Sequence, residues 1–318
     1  MKKITLSFFF FLFFCGLVNA QDFSQVDQKV ETYPHSFATP DLLAVQINKD
    51  FSEPAQKARA AFVWISKNVK YDLDILAANK SGIAFKYSSE KERMAKEKKF
   101  KNEIATAAVN QNKAICHGYT ALFELVCNKM GLDAITVTGT LKSEPQQIGV
   151  LPNINNHAWN LIKINNEWKF IDTTLAAGDI AGGKFVGDYV DGFFFTTPEL
   201  FFLNHYPLEE KWLLTKKTKQ EFANLPVYNR SYFKKGNNLL YPGSGILSAS
   251  KGSCTIKLKN PDGIYLAYFL HSTYKGALMD YDENTQDYFC SINVSQDDYL
   301  TIMSDNEMII TYKVKVKP

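Results

Sequence analysis

Three residues in this sequence have the makings of a nucleophile, a base and an orienting acid. Cys116 opens a segment in which Leu122, Leu125, Val126 and Met130 recur at helical spacing, with Gly131 as a stop. A cysteine at a helix start meets unpaired main-chain N–H groups and the positive end of the helix dipole. Both favour thiolate over thiol. The same amides can donate to an oxyanion, the N–H of Cys116 itself first among them, with the upstream Gln111 as a side-chain candidate. Gly118 is expected to keep the approach open. Taken singly, Cys116 also reads as a buried structural thiol and Gln111 as a polar loop residue.

His157 opens a strand-like run to Ile164, Asn165-Asn166 suits a two-residue turn, and a second run covers Glu167 to Thr174. If those two residues are the whole loop, His157 stands opposite Thr174 and Trp159 opposite Asp172, all on one face. Asp172 is then the diagonal neighbour of His157, about 5–7 Å away between Cβ atoms, where a carboxylate can orient an imidazole. The roles divide accordingly. Cys116 attacks, His157 takes and returns the proton, and Asp172 fixes the tautomer. A loop of three residues would put Asp172 on the other face.

The elements that must carry these groups follow from periodicity. Helices are expected over 26–33, 39–47 and 53–69, the last with Pro54 in its first turn. The mixed-sign stretch 86–103 reads as a solvated helical face. Strands are expected over 134–141, 157–164 and 168–174, with loops at 143–156 and, rich in glycine, at 176–187. After a charged boundary at 211–224 and Pro226, six short strands broken by Gly, Asn and Asp predict a small β-sandwich. The expectation is therefore an α+β chain with a core at 21–222 and an all-β domain at 223–318.

At this point the blocks resemble a family. Cys116-His117-Gly118-Tyr119, His157-Ala158-Trp159-Asn160 and Ile171-Asp172-Thr173-Thr174 stand in the order found in the transglutaminase-like superfamily. The resemblance is closest to its kyphoscoliosis-peptidase branch. The stretch 62–72 is similar to that group's leading helix, and 202–207 with 212–214 to the segment after its core. The likeness covers roughly residues 25 to 214 and implies a papain-like α+β core with the triad on Cys116, His157 and Asp172. Leu175 stands where the branch often has Trp, and Ala114-Ile115 replace a more open pair. Tyr119 and Trp159 become candidates for the substrate cleft, although Trp159 reads equally well as core. His205 reads as structural, and His117 is expected to point to solvent.

Composition bounds the rest. The 46% hydrophobic content excludes a disordered chain. The formal net charge of +3, two units of it from Lys2 and Lys3, gives no electrostatic case for nucleic acid. Residues 1–20 read as a signal peptide, with an apolar run from Ile4 to Val18 and small residues at Val18-Asn19-Ala20. This predicts export to a periplasmic or extracellular space, with no stable membrane span after cleavage. Cys254 and Cys290 could pair. Cys116 and Cys127, on one helix about 16 Å apart at 1.5 Å per residue, could not. No zinc-type spacing and no phosphate-cradling loop is present, so neither metal nor cofactor is expected. Two functions fit. One is a thiol enzyme acting on a protein or peptide, which could be surface- or cell-wall-linked, with hydrolysis favoured over cross-linking. The other is an inactive relative acting as a binding or scaffolding module.

Overall fold

The computed structural model describes residues 22–78, 86–234, 243–250, 252–259 and 265–317. The signal segment expected at 1–20 lies outside them. No helix among the described residues is long and apolar enough to cross a membrane.

Three helices begin the chain: α1 (Ser24–Val30), α2 (Pro40–Asp50) and α3 (Pro54–Asn68). The Thr39 hydroxyl accepts from the Leu42 N–H to cap α2, and proline occupies the first turn of both α2 and α3. The core face of α3 is wholly buried from Ala58 to Ser66. A two-residue strand β1 (Lys70–Tyr71) and a short α4 (Leu73–Ala78) follow. The charged stretch is α5 (Glu90–Gln111), capped by Ser89 and ended by Asn112 in the left-handed region. Its Arg93 pairs with Glu90 and Glu97, and its Lys96 with Glu92, as a solvated face should. Then come β2 (Lys113–Ala114), which pairs in parallel with β1, and α6 (Cys116–Lys129).

The core sheet contains β3 (Ala134–Leu141), β4 (His157–Ile164) and β5 (Glu167–Ile171). Beyond β5 lie α7 (Thr173–Ala177), the hairpin β6 (Gly178–Ala181) and β7 (Lys184–Gly187), β8 (Phe194–Thr196), α8 (Pro198–Phe201) and β9 (His205–Pro207). The antiparallel order is β8-β5-β4-β3-β9, so β4 is central. Ile164 pairs with Glu167, and Asn165 and Asn166 both have positive φ, the two-residue turn read from the sequence. The second strand, however, stops at Ile171 rather than Thr174. Asp172 accepts from the Leu175 N–H and starts α7 instead. The stretch 176–187 is likewise not a loop. Gly182 and Gly183, both with positive φ, turn the β6–β7 hairpin. Gly139 in β3 lets β9 approach closely, since a Cβ there would lie 2.2 Å from the Tyr206 carbonyl oxygen.

The faces of the sheet differ. Ile162, Ile164 and Ile171 join the large cluster formed with the helices, which includes Leu122, Phe123 and Val126 of α6. Val137, Trp159, Leu161, Phe170 and Phe201 form a second cluster. Asn160 ties the sheet to α6, donating from Nδ2 to the carbonyls of Thr120 (3.1 Å) and Ile135 (3.2 Å).

The chain then runs through α9 (Lys219–Asn224), β10 (Val227–Tyr228) and α10 (Arg230–Lys234) into β11 (Ile246–Ser250) and β12 (Ser253–Lys259). The last strands are β13 (Leu266–Leu270), β14 (Gly276–Leu278), β15 (Asp280–Asp282), β16 (Asp287–Asn293), β17 (Asp298–Ser304) and β18 (Glu307–Lys317). The expected all-β unit is therefore present. Its strands form one hydrogen-bonded path, β14-β13-β17-β18-β11-β12-β16-β15, a barrel-like sheet with β10 added beside β18. Cys254 faces Ile292 and Cys290 faces Ile256, so the two cysteines are out of register by two residues and both thiols are free.

One buried cation fastens the core to the segment leading into the β unit. Lys142, just past β3, donates from Nζ to the carbonyls of Phe222, Ala223 (3.1 Å) and Leu225 (3.0 Å) at the end of α9. Burial pushes its ammonium down to about 7. Three carbonyl acceptors pull the other way, because a neutral amine has only two N–H to give. Lys142→Met should lower stability by about 2–4 kcal/mol by stranding those carbonyls. A urea titration measures this, and an unchanged midpoint would show that the carbonyls are satisfied otherwise.

Candidate active site

The first turn of α6 carries Cys116 with Ile115 as an N-cap whose side chain takes none of the leading amides, although its carbonyl accepts from the Gly118 N–H at 2.8 Å. Gly118 does not open an approach. It is buried, and a Cβ there would lie 2.7 Å from the Ala114 Cβ. Its role is to let the helix start pack onto β2.

The His157 imidazole bonds through Nε2 to Asp172 Oδ2 at 2.7 Å. Both groups are buried, Asp172 at 1% exposure. The contact forms although β5 ends before Asp172. The β4–β5 register carries the chain to Ile171 opposite Asn160, and the turn into α7 then presents the carboxylate to the start of β4. Asp172 takes two further donors: the Leu175 N–H to Oδ1 at 2.9 Å, and His205 Nε2 to Oδ2 at 3.1 Å. His205, expected to be merely structural, is thus the second imidazole on the carboxylate. It lies on β9, stacked on Phe201 at 3.8 Å between ring centroids. The ligating atoms of His157, Asp172 and His205 lie within 4.8 Å of one another, a spacing that could hold a metal ion. The 2.7 and 3.1 Å contacts are direct hydrogen bonds, which leave no room for an ion between the groups.

Charge follows geometry. Burial opposes ionisation of Cys116, but hydrogen bonds and positive charge from His117 and His157 outweigh it and bring the thiol down to about 6. Burial also opposes the His157 imidazolium, yet the charge and hydrogen bond of Asp172, with Cys116, hold it well above its ordinary value. Asp172 stays below the usual carboxylate range despite burial, because His157 and His205 both face it. His205 goes the other way. Burial prevails over Asp172 and lowers it to about 4, so it remains a neutral donor. Among the described residues the other three free thiols are all pushed up by burial.

His117 is exposed as expected, but its Nδ1 lies 3.6 Å from Cys116 Sγ, so it is a second imidazole at the thiol. The sequence reading missed Tyr71. Its hydroxyl lies beside the Cys116 main-chain N–H, and burial with the charge of Cys116 and Asp172 raises it to about 12. It therefore keeps its proton next to the amide expected to serve an oxyanion. The signal available was Tyr71-Asp72 directly after a helix, which marks where α3 ends rather than what the tyrosine touches.

Tyr119 and Trp159 are buried, the latter as its core reading allowed, and Gln111 lies off the cleft. Tyr119 is fully buried and donates to the Val69 carbonyl at 2.5 Å, so it anchors α6 rather than lining a cleft. Trp159 is also fully buried, stacked beneath His157 with 6.2 Å between ring centroids, and belongs to the outer cluster. An indole and a phenol next to catalytic-type residues read as recognition groups, yet here each supplies apolar support. Gln111 ends α5 with its side chain exposed and does not line the cleft that opens on His157.

Residues 42–173 match the model of the transglutaminase-like superfamily. The chain is 26% identical to kyphoscoliosis peptidase of Mus musculus over 234 residues, covering 72% of this chain and 32% of that protein. Against kyphoscoliosis peptidase of Homo sapiens it is 26% identical over 249 residues, covering 77% of this chain and 35% of that one. It thus spans about a third of the length of these relatives. A solved TGase structure aligns at 17% identity and a TM-score of 0.28, covering 50% of this chain and 34% of the other. The segment 42–173 is thus similar to the transglutaminase-like superfamily, and the helix bearing Cys116 together with β3, β4 and β5 lies within it.

Proposed function

We propose that this protein is an exported thiol enzyme that opens a peptide or isopeptide amide through a thioester on Cys116. The observation that carries this reading is the His157–Asp172 bond of 2.7 Å behind a thiol whose pKa falls to about 6. In the proposed cycle the Cys116 thiolate adds to the amide carbonyl carbon. The oxyanion takes hydrogen bonds from the Cys116 N–H and the Tyr71 hydroxyl. The C–N bond then breaks as His157 gives its proton to the departing amine, which leaves a thioester and a neutral imidazole. His157 next takes a proton from water, hydroxide adds to the thioester, and the carboxylic acid leaves, giving its proton to solvent, as the thiolate re-forms beside the imidazolium. Asp172 holds the ring throughout, itself held by His205 and Leu175. Export rests on the charged-then-apolar pattern of residues 1–20.

The thioester is common to hydrolysis and amine transfer, so the second substrate must be tested directly. Incubation with dimethylcasein and dansylcadaverine should yield new carboxyl termini by mass spectrometry and little fluorescent casein. Fluorescence incorporation exceeding cleavage would overturn hydrolysis in favour of transfer. Neither product, with Cys116 unreactive to thiol reagents, would favour a binding module.

A further inference from the structure

Beside His157 a cleft of about 490 Å³ runs between the core and the segment that leads into the β unit. That volume lies in the range of ligand sites, about 300–1,000 Å³. Four residues in its wall bear buried polar atoms with no partner among the described residues: Thr174 Oγ1, Asn204 Oδ1, Asn229 Nδ2 and Arg230 Nη2. Buried polar groups in proteins are overwhelmingly paired, and each orphan costs about 1–3 kcal/mol; others here, such as Asn112 Oδ1 and Thr173 Oγ1, lie off the cleft. Four such atoms around one cleft indicate groups kept for a ligand.

Their positions are fixed. Asn204 is 3% exposed and Thr174 7%. The Arg230 side chain is 9% exposed, with Nε donating to the Leu175 carbonyl at 2.6 Å and Nη1 to Asp188 at 2.7 Å. Only Nη2 is left over. Asn229 is pinned by its N–H to the Ile309 carbonyl at 2.9 Å. The set offers donors (Asn229, Arg230) and acceptor capacity (Thr174, Asn204).

Charge chooses the ligand. Arg230 and Lys234 both pair with Asp188, and Lys234 also pairs with Glu307, so two cations already meet two carboxylates. Of the other charged groups lining the cleft, Lys142 is committed to three carbonyls and Glu144 and Asp179 are acidic, so the described lining offers an anion no free cation. A neutral ligand bearing both carbonyl and N–H groups fits better, and a polypeptide main chain is that ligand.

We propose that this cleft binds the extended main chain of the substrate polypeptide, Asn229 and Arg230 donating to its carbonyls and Asn204 and Thr174 receiving its N–H groups. This rests on the thiol-enzyme reading above and gives it a recognition surface. Asn229, between β10 and α10, and Arg230, the first residue of α10, lie outside the segment matched to the family, where the chain passes from the core to the β unit. Specificity is thereby assigned to the junction.

The test compares two electrophiles on the full chain. Iodoacetamide reports the thiolate alone. N-acetyl-trialanyl chloromethyl ketone adds only neutral main-chain amides. Asn229→Leu and Thr174→Val each remove one orphan atom without touching an ion pair, so if one fails to fold the other decides. Each is expected to slow the peptidyl reagent about 5–20-fold relative to iodoacetamide. An unchanged ratio in the folded variant overturns the proposal. So does a succinyl-trialanyl reagent that outpaces the acetyl one tenfold, which would mark an anion site. Wild type reacting with iodoacetamide like an ordinary thiol would remove the enzyme reading instead, while the peptidyl ratio would still decide the groove.

Discussion

Cys116→Ala is expected to lower amide turnover by at least about 10⁴-fold while the fold persists. Loss of the sulfur removes the only atom at this site that can carry the acyl group. The imidazole and the oxyanion donors remain, but they have no nucleophile to serve. Retention of fold follows from where the residue sits. Cys116 is buried but stands outside the three hydrophobic clusters, whereas Cys127 is fully buried inside the largest. Cys127→Ala is therefore the informative partner, expected to cost about 1–2 kcal/mol of stability through a small cavity and to keep turnover. Both variants are read by turnover and by urea unfolding. Turnover surviving in Cys116→Ala would place the chemistry elsewhere.

The second large effect belongs to Asp172→Asn. The carboxylate accepts from His157, His205 and Leu175, and an amide of the same shape can accept at only one of its two terminal atoms. If its oxygen keeps the Leu175 N–H, its NH₂ faces two imidazole N–H groups, and His157 must turn or change tautomer. Loss of the negative charge also removes the main support for the imidazolium, which in turn lowers the thiol. A fall in kcat/KM of about 10³–10⁴-fold is expected, by analogy with triads in which the acid is made neutral. The variant should also shift the pH at which Cys116 ionises upward from about 6 towards the ordinary thiol value near 8.5. A drop in turnover with no shift in thiol ionisation would mean that Asp172 acts only on the fold.

Much of this site was legible because its logic is local. The helical period after Cys116 gave the element and its start, and Asn165-Asn166 gave the hairpin register that brings β5 alongside β4. The end of β5 was not legible. Asp172 serves equally well as a strand residue or as an N-cap, and only the neighbouring β8 and α7 decide between them. The partners contributed by distant segments stayed hidden for the same reason. His205 reaches Asp172 across 33 residues through the β3–β9 pairing, and Tyr71 reaches Cys116 through the β1–β2 pairing. Tyr119 and Trp159 misled because aromatic side chains beside reactive ones suit a cleft and a core alike. Burial settles the matter, and burial depends on the whole sheet. The cleft-lining Asn229 and Arg230 carry no motif at all. Their meaning comes from the joining of two units.

The account stands or falls on whether Cys116 is a thiolate near neutral pH. The direct measurement is the rate of iodoacetamide labelling of Cys116 against pH, followed by peptide mass mapping in the folded protein. Among the described residues the other free thiols are held above their ordinary pKa, so labelling near neutral pH should fall on Cys116. The rate should rise with a half-point near 6 and hold a plateau above it while His157 keeps its proton. A half-point at or above about 8.5 would mean an ordinary thiol and would contradict the proposed chemistry.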